Sequence, residues 1–168
     1  MISVESETGK GTKFKIYLPA LQAGLKTTED EQKSQKEDKV LSGKGRVLVM
    51  YDESGIREIV RAMLCRIGYL VVCTEDSEQA VSEYSRALDN DESYDVVILD
   101  LTIPGGRGGH KTLEDLVKVD PNVKAIVSSG YSTDPVMAEY EKYGFFGCVA
   151  KPFKASELSE VLSKVING

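Results

Sequence analysis

Tryptophan is absent from the 168 residues, histidine occurs once and cysteine three times, and each shortage removes a class of chemistry. Cys65, Cys73 and Cys148 are odd in number, far apart and in no metal-ligand spacing, so neither a disulfide framework nor a structural zinc site is indicated. That usage fits a reducing, cytoplasmic setting. Long apolar runs are missing too: nothing approaches the roughly 18 consecutive apolar residues that span a bilayer, and the N-terminus has no basic-then-apolar signal segment. No membrane contact is expected of this stretch of chain. Basic charge is also in deficit, with 21 Lys and Arg against 27 Asp and Glu, a net charge of -6 and a pI near 5.0. A nucleic-acid surface needs clustered cations to offset phosphate, so no nucleic acid is expected as a partner. An acidic pocket for a metal cation stays open.

What is present is enough apolar material for a core, 41% of the chain, in a length that suits one domain of about 100–150 residues and a remainder. Residues 22–44 mix Lys, Glu, Asp, Gln, Ser and Thr, with apolar residues only at the margins. Such a stretch buries too little apolar area to offset chain entropy and is expected to be a flexible charged linker. It separates a short N-terminal piece, residues 1–21, from a body, residues 45–168. Residues 1–45 hold 8 Lys against 7 acidic residues, and residues 46–168 hold 13 basic against 20 acidic ones, so the acidic excess belongs to the body.

The body alternates short β-branched runs with helical patterns. Strands are expected at Arg46 to Met50, Leu70 to Cys73, Val96 to Leu99, Ala125 to Ser128 and Gly147 to Ala150. The first helix carries Ile56, Ile59, Val60, Met63, Leu64 and Ile67 at helical spacing and stops at Gly68. Ala80, Val81, Tyr84 and Leu88 mark the second, and Leu113, Leu116 and Val117 a shorter third. Asp134 followed by Pro135 reads as an N-cap with proline at the first helical position, and Gly144 closes that fourth helix. Leu158, Val161, Leu162, Val165 and Ile166 stripe the fifth. Five strands alternating with five helices predict an α/β fold, a doubly wound parallel sheet with helices on both faces. The flavodoxin-like order 2-1-3-4-5 is the leading topology. Its crevice lies at the carboxyl ends of the first and third strands.

That rule turns strand ends into a site. Tyr51, Asp52 and Glu53 follow the first strand, Asp100 ends the third, Ser129 ends the fourth, and Lys151-Pro152 follows the fifth. Two carboxylates, a hydroxyl, a lysine and nearby carbonyls suit a hard divalent cation and a phosphoryl group.

Residues 46–168 resemble the receiver domain of two-component response regulators. VLVMYDES, VVILDLTIPGGRGG, AIVSSGY and VAKPF carry the resemblance by their order and spacing. Thr-Ile-Pro-Gly-Gly after the aspartate and Ser-Gly-Tyr after the fourth strand further resemble receivers attached to the C-terminus of hybrid sensor histidine kinases. The resemblance implies that Asp100 is the phosphoacceptor, attacking a phosphohistidine to give an acyl phosphate. It implies that Asp52, Asp100 and the carbonyl of Thr102 bind Mg²⁺, with Lys151 offsetting charge and the Ser129 hydroxyl bonding a phosphoryl oxygen. It places a cis peptide at Lys151-Pro152. The implied partner is a histidine kinase or histidine phosphotransfer domain, of the same parent chain or another. A homodimer through the fourth helix, fifth strand and fifth helix also belongs to the resemblance.

Two positions depart from the family. Tyr51 stands where the first member of an acidic pair is usual, and a phenol there is expected to crowd the pocket entrance. A unit charge about 5 Å from a divalent ion contributes roughly 2 kcal/mol at water's dielectric and about 6–7 at an effective value near 20. Losing it predicts weaker Mg²⁺ binding. Cys148 occupies the switch position, three before the lysine, where an aromatic residue is usual and where only a ring can swing between buried and exposed rotamers.

SVESETGKGTKFKIYLPA resembles the last strands of the histidine kinase ATP-binding domain, with Gly9, Gly11, Thr12 and Phe14 matching Gly-x-Gly-Thr-x-Phe. The Asn-rich helix and acidic glycine box that bind Mg-ATP are not in this sequence, so the stretch is expected to be no stand-alone enzyme. Elsewhere, ordinary roles are expected. Glu53 reads as a first-turn helix charge, His110 as an exposed surface residue, and the cysteines as small core residues. Gly105, Gly106, Gly108 and Gly109 read as a flexible turn, since no Lys-Ser/Thr pair follows as a nucleotide loop requires. Tyr69, Tyr131, Tyr140, Tyr143, Phe145 and Phe146 are expected in packing or on partner faces. Two other functions compete: a degenerate receiver acting only as an interaction module, and a flavodoxin-fold binder or hydrolase. The latter lacks a Ser/Thr-rich flavin-phosphate loop after the first strand and a second aspartate two residues beyond Asp100.

Overall fold

A computed structural model describes residues 2–17, 43–131 and 134–168. The chain divides into two units, residues 1–36 and 37–168. The first unit contributes an antiparallel hairpin of β1 (Ile2–Glu7) and β2 (Gly11–Ile16). Its two faces differ. Ile2 pairs with Ile16 and Val4 with Phe14, all four exposed, while Glu5 pairs with Lys13 on the other face, where Lys15 also binds Glu5. The expected linker, residues 22–44, lies outside the described residues except for Gly43 and Lys44.

The second unit holds a five-stranded parallel sheet: β3 (Arg46–Met50), β4 (Leu70–Thr74), β5 (Val96–Asp100), β6 (Ala125–Ser129) and β7 (Gly147–Ala150). Its order is β4-β3-β5-β6-β7, which is the expected 2-1-3-4-5 counted within the body. Gly43 already belongs to this unit, since its N–H donates to the Ile67 carbonyl at 3.0 Å.

Alternation along the strands builds two apolar layers. Val47, Val49, Val96, Ile98, Ile126 and Val149 pack against Val60, Leu64 and Ile67 of α1 (Ser54–Ile67) and Leu158, Leu162 and Val165 of α5 (Ala155–Asn167). Leu48, Met50, Val97, Leu99 and Val127 pack against α2 (Ser77–Asp89) and α3 (Gly109–Val119). Each such side chain, fully buried, contributes about 1.5–3 kcal/mol. Helix ends follow the sequence signals. Gly68 terminates α1 at φ +113°, its N–H donating to the carbonyls of Cys65 and Leu64. Asp134 caps the next helix by accepting the Val136 N–H at 2.8 Å.

The fourth helix departs from expectation. It is one turn, α4 (Pro135–Ala138), followed at Glu139 by a separate 3₁₀ turn over Tyr140–Tyr143 that Gly144 closes. Met137, Tyr140 and Tyr143 face inward here, with Val136 beside them. Their three-residue spacing lies along one side of a 3₁₀ winding, which brings i and i+3 into line.

Three ordinary roles also change. Cys65 is exposed rather than in the core, because it follows Leu64 on α1 and one residue of helix rotates it about 100° off the buried stripe. His110 is half-buried, edge-on to Tyr143 with ring centroids 5.3 Å apart. The glycines after Asp100 are not all turn residues. A Cβ on Gly108 would lie 2.2 Å from the Leu101 carbonyl oxygen and one on Gly109 2.8 Å from that of Asp100, so both permit close approach of α3.

Candidate functional site

Four strand ends meet at one edge of the sheet. Asp100 closes β5 with its Cα opposite Ser128 of β6, and Ser129 lies opposite Ala150, the last residue of β7. Lys151 follows, and its peptide bond to Pro152 is cis. The Lys151 ammonium donates to Asp100 Oδ2 at 2.7 Å, with the aspartate side chain 5% and the lysine 20% exposed. The other carboxylate oxygen, Oδ1, accepts the Thr102 N–H at 3.3 Å. Asp100 is thus a nearly buried carboxylate with one oxygen paired to a cation and the other loosely held.

Main-chain bonds tie the strand ends together. The Lys151 N–H donates to the Ser129 carbonyl, and the Leu101 N–H to that of Ser128, both at 2.8 Å. The Ser129 hydroxyl accepts the Tyr131 N–H at 3.1 Å and keeps its own proton available. Asp52 is half-buried beyond β3. Arg57 of α1 donates from one nitrogen to the carbonyls of Tyr51 at 2.6 Å and Asp52 at 2.7 Å, fixing the loop on which Asp52 sits.

Tyr51 does not crowd the entrance. It is fully buried in the layer beneath α1 and α5, and its ring underlies Lys151, whose nitrogen is 4.5 Å from the ring centroid. A phenyl ring sheds water more readily than it borders it, and the side of β3 that holds Val47 and Val49 offers an apolar place for it. Burial, reinforced by the charge of Asp100 and opposed by Ser128, raises the Tyr51 phenol well above the ordinary tyrosine range. The residue therefore stays neutral and supplies no anion in place of the missing acid. Its hydroxyl and that of Ser128 are both buried without a hydrogen bond of good geometry among the described residues.

Cys148 is half-buried at the margin of the other layer, which Tyr140 and Tyr143 also border. Glu53 is exposed at the N-cap of α1 and makes no capping bond. Tyr69 and Phe145 are buried, whereas Tyr131 and Phe146 are exposed. Next to Lys151 runs an apolar groove of about 380 Å³, lined by Ile56, Ile59, Met63, Pro152 and Phe153.

The donor set suits magnesium. Asp52 and Asp100 offer carboxylates and the exposed Thr102 a carbonyl, all hard oxygen donors, and among the described residues Asp100 Oδ1 has only one long hydrogen bond to compete with a cation. Sequence reasoning missed Arg57 and Ser128. A basic residue one helical turn past a strand-end loop was the available signal for the first; nothing local marks the second.

Residues 47–163 match the family model described as the response regulator receiver domain. Over 98% of its length the chain is 34% identical to the sensor kinase CckA of Brucella abortus, of which it spans only 18%. It is 30% identical to the chemotaxis protein CheY of Thermotoga maritima, over 71% of this chain and 96% of that one. A response regulator receiver domain protein from Clostridium thermocellum has a TM-score of 0.63 at 28% identity, covering 73% of this chain and 94% of that one. The receiver domain of sensor histidine kinase PA1611 from Pseudomonas aeruginosa, with a magnesium ion coordinated in its active-site cleft, shares the fold. Its TM-score is 0.65 at 23% identity, covering 75% of this chain and all of that one.

Proposed function

We propose, from the premise that this chain belongs to the response regulator receiver domain family, that Asp100 is the phosphoacceptor of a two-component phosphorelay. The observation that carries the reading is the buried Asp100–Lys151 pair at the carboxyl edge of the sheet, 2.7 Å apart. One Asp100 oxygen attacks the phosphorus of a partner's phosphohistidine. The phosphorus–nitrogen bond breaks, its electron pair returns to the imidazole, and an acyl phosphate remains.

An anionic nucleophile and an anionic phosphoryl group repel each other, and the Lys151 ammonium offsets that repulsion from a fixed place. The Ser129 hydroxyl, already accepting from the Tyr131 N–H, directs its proton to a phosphoryl oxygen. Asp52, Asp100 and the Thr102 carbonyl would hold Mg²⁺, which would supply positive charge beside the nucleophile and the transferring group. Arg57 keeps the Asp52 loop in place.

The donor is a histidine kinase or histidine phosphotransfer domain. Alignment with a sensor kinase along 98% of the chain includes the hairpin and supports reading residues 1–21 as the last strands of a kinase ATP-binding domain. Its exposed apolar face of Ile2, Val4, Phe14 and Ile16 is what a strand pair from a larger sheet layer presents.

Intact mass spectrometry after incubation with acetyl phosphate and Mg²⁺ tests the reading. One phosphoryl adduct, labile to base and hydroxylamine and missing from Asp100→Asn, is expected. The buried Tyr51 in place of an acidic residue favours a second reading, a receiver that binds partners without being phosphorylated. Absence of an adduct from both acetyl phosphate and a phosphohistidine donor would overturn the acceptor reading and favour the second.

A further inference from the structure

Lys151 is held from two directions. Asp100 Oδ2 lies 2.7 Å from its nitrogen, and the face of the Tyr51 ring lies 4.5 Å away. Val47, Val49 and Tyr51 alternate onto the layer under α1 and α5, which also holds Ile98, Ile126 and Val149. Asp100, Ser128 and Lys151 follow the last three at the same two-residue period. The ring of Tyr51, the residue after β3, thus shares this layer and meets the ammonium of the residue after β7. With the ring fully buried and the lysine 20% exposed, the contact is largely out of water, where the attraction between an ammonium and an aromatic face is strongest.

A carboxylate at position 51 would compete with Asp100 for the ammonium and draw it toward β3. A neutral ring supports the ammonium without offering an anionic alternative, leaving Asp100 as the lysine's only carboxylate partner among the described residues. We propose that Tyr51 is a positioning residue for Lys151, whose aromatic face holds the ammonium against Asp100 and so sets the charge-offsetting group in place before the phosphoryl donor arrives. The inference rests on the reading of Asp100 as acceptor. The ring, not the hydroxyl, does the holding: the hydroxyl has no hydrogen bond of good geometry among the described residues.

The test uses the full chain with ¹³C-labelled lysine. A methylene held over an aromatic face is magnetically shielded, so one lysine ε-CH₂ signal, assigned by its loss in Lys151→Arg, is expected upfield of the rest. Tyr51→Phe should keep that shift and label with acetyl phosphate within about twofold of the wild-type rate at saturating Mg²⁺. Tyr51→Met, similar in bulk but without a ring, should lose the shift and label about tenfold more slowly, in line with a largely desolvated cation–aromatic contact. A Met variant labelled at the wild-type rate, or a wild-type Lys151 signal among the other lysines, overturns the proposal. The wild-type spectrum decides the matter if the Met variant does not fold. A shielded Lys151 in a chain that accepts no phosphoryl group supports the positioning role and overturns the acceptor reading instead.

Discussion

Arg57 donates to two consecutive carbonyls, those of Tyr51 and Asp52, and its other terminal nitrogen lies 3.7 Å from Glu75. One side chain on α1 therefore anchors the loop that carries a proposed metal ligand. Arg57→Met keeps the aliphatic stem but strips both carbonyls of their donor, and an unmatched, partly buried polar group costs about 1–3 kcal/mol. Urea denaturation should show a loss of that size, and a Mg²⁺ titration weaker binding, because the Asp52 loop is released. An unchanged denaturation midpoint together with unchanged Mg²⁺ affinity would sink the role given to Arg57.

Contacts at the element scale explain where α3 begins. Gly108 and Gly109 bring its first turn against the carbonyls of Leu101 and Asp100, so close that a methyl at Gly108 would lie 2.2 Å from oxygen. Gly108 has φ -69° and ψ 175°, which alanine adopts freely, so the obstacle is the neighbouring backbone and not torsional strain. Gly108→Ala should destabilise by about 1–3 kcal/mol through overpacking, while Gly105→Ala, in open space at φ +70°, is opposed only by its backbone angle. Thermal melts of the two variants check this; a Gly108→Ala variant that melts like the wild type would refute the steric account of that position.

The same elements show what could be read from sequence and what could not. Runs such as Val47–Met50 and Val96–Leu99 announce buried parallel strands by themselves, and chain order then brings Asp52, Asp100, Ser129 and Lys151 to one edge. Gly68 and Asp134 mark helix ends by local hydrogen bonding. By contrast, the clash that keeps Gly108 small comes from a carbonyl seven residues earlier, and the partner of the Tyr51 ring is a hundred residues away. No local pattern encodes either distance. The break at Glu139 was hidden because Met137, Tyr140 and Tyr143 fit helical and 3₁₀ spacing almost equally well over so few turns.

Across the whole body, four buried tyrosines, Tyr51, Tyr69, Tyr84 and Tyr94, share one electrostatic bias. Burial raises all four phenols; Tyr84 also donates to Asp120 at 2.8 Å and Tyr94 to Glu83 at 2.6 Å, bonds that ionisation would destroy. The folded chain thus retains protons that the unfolded chain releases near the ordinary tyrosine pKa of about 10. Their contribution to stability is complete below that pH and falls as pH rises above it. Urea midpoints taken from neutral pH to about pH 11 should drop above about pH 10, less steeply in Tyr84→Phe; a flat profile in the wild type would refute the assignment. The bond from the Lys151 N–H to the Ser129 carbonyl has a mechanical meaning. The ammonium and the hydroxyl proposed to act on the phosphoryl group belong to residues joined by one rung of the sheet, like two jaws on a single rivet. Their separation is set when β6 and β7 pair, so the entropy of bringing them together is lost during folding, and none of it remains to be lost when the cargo arrives.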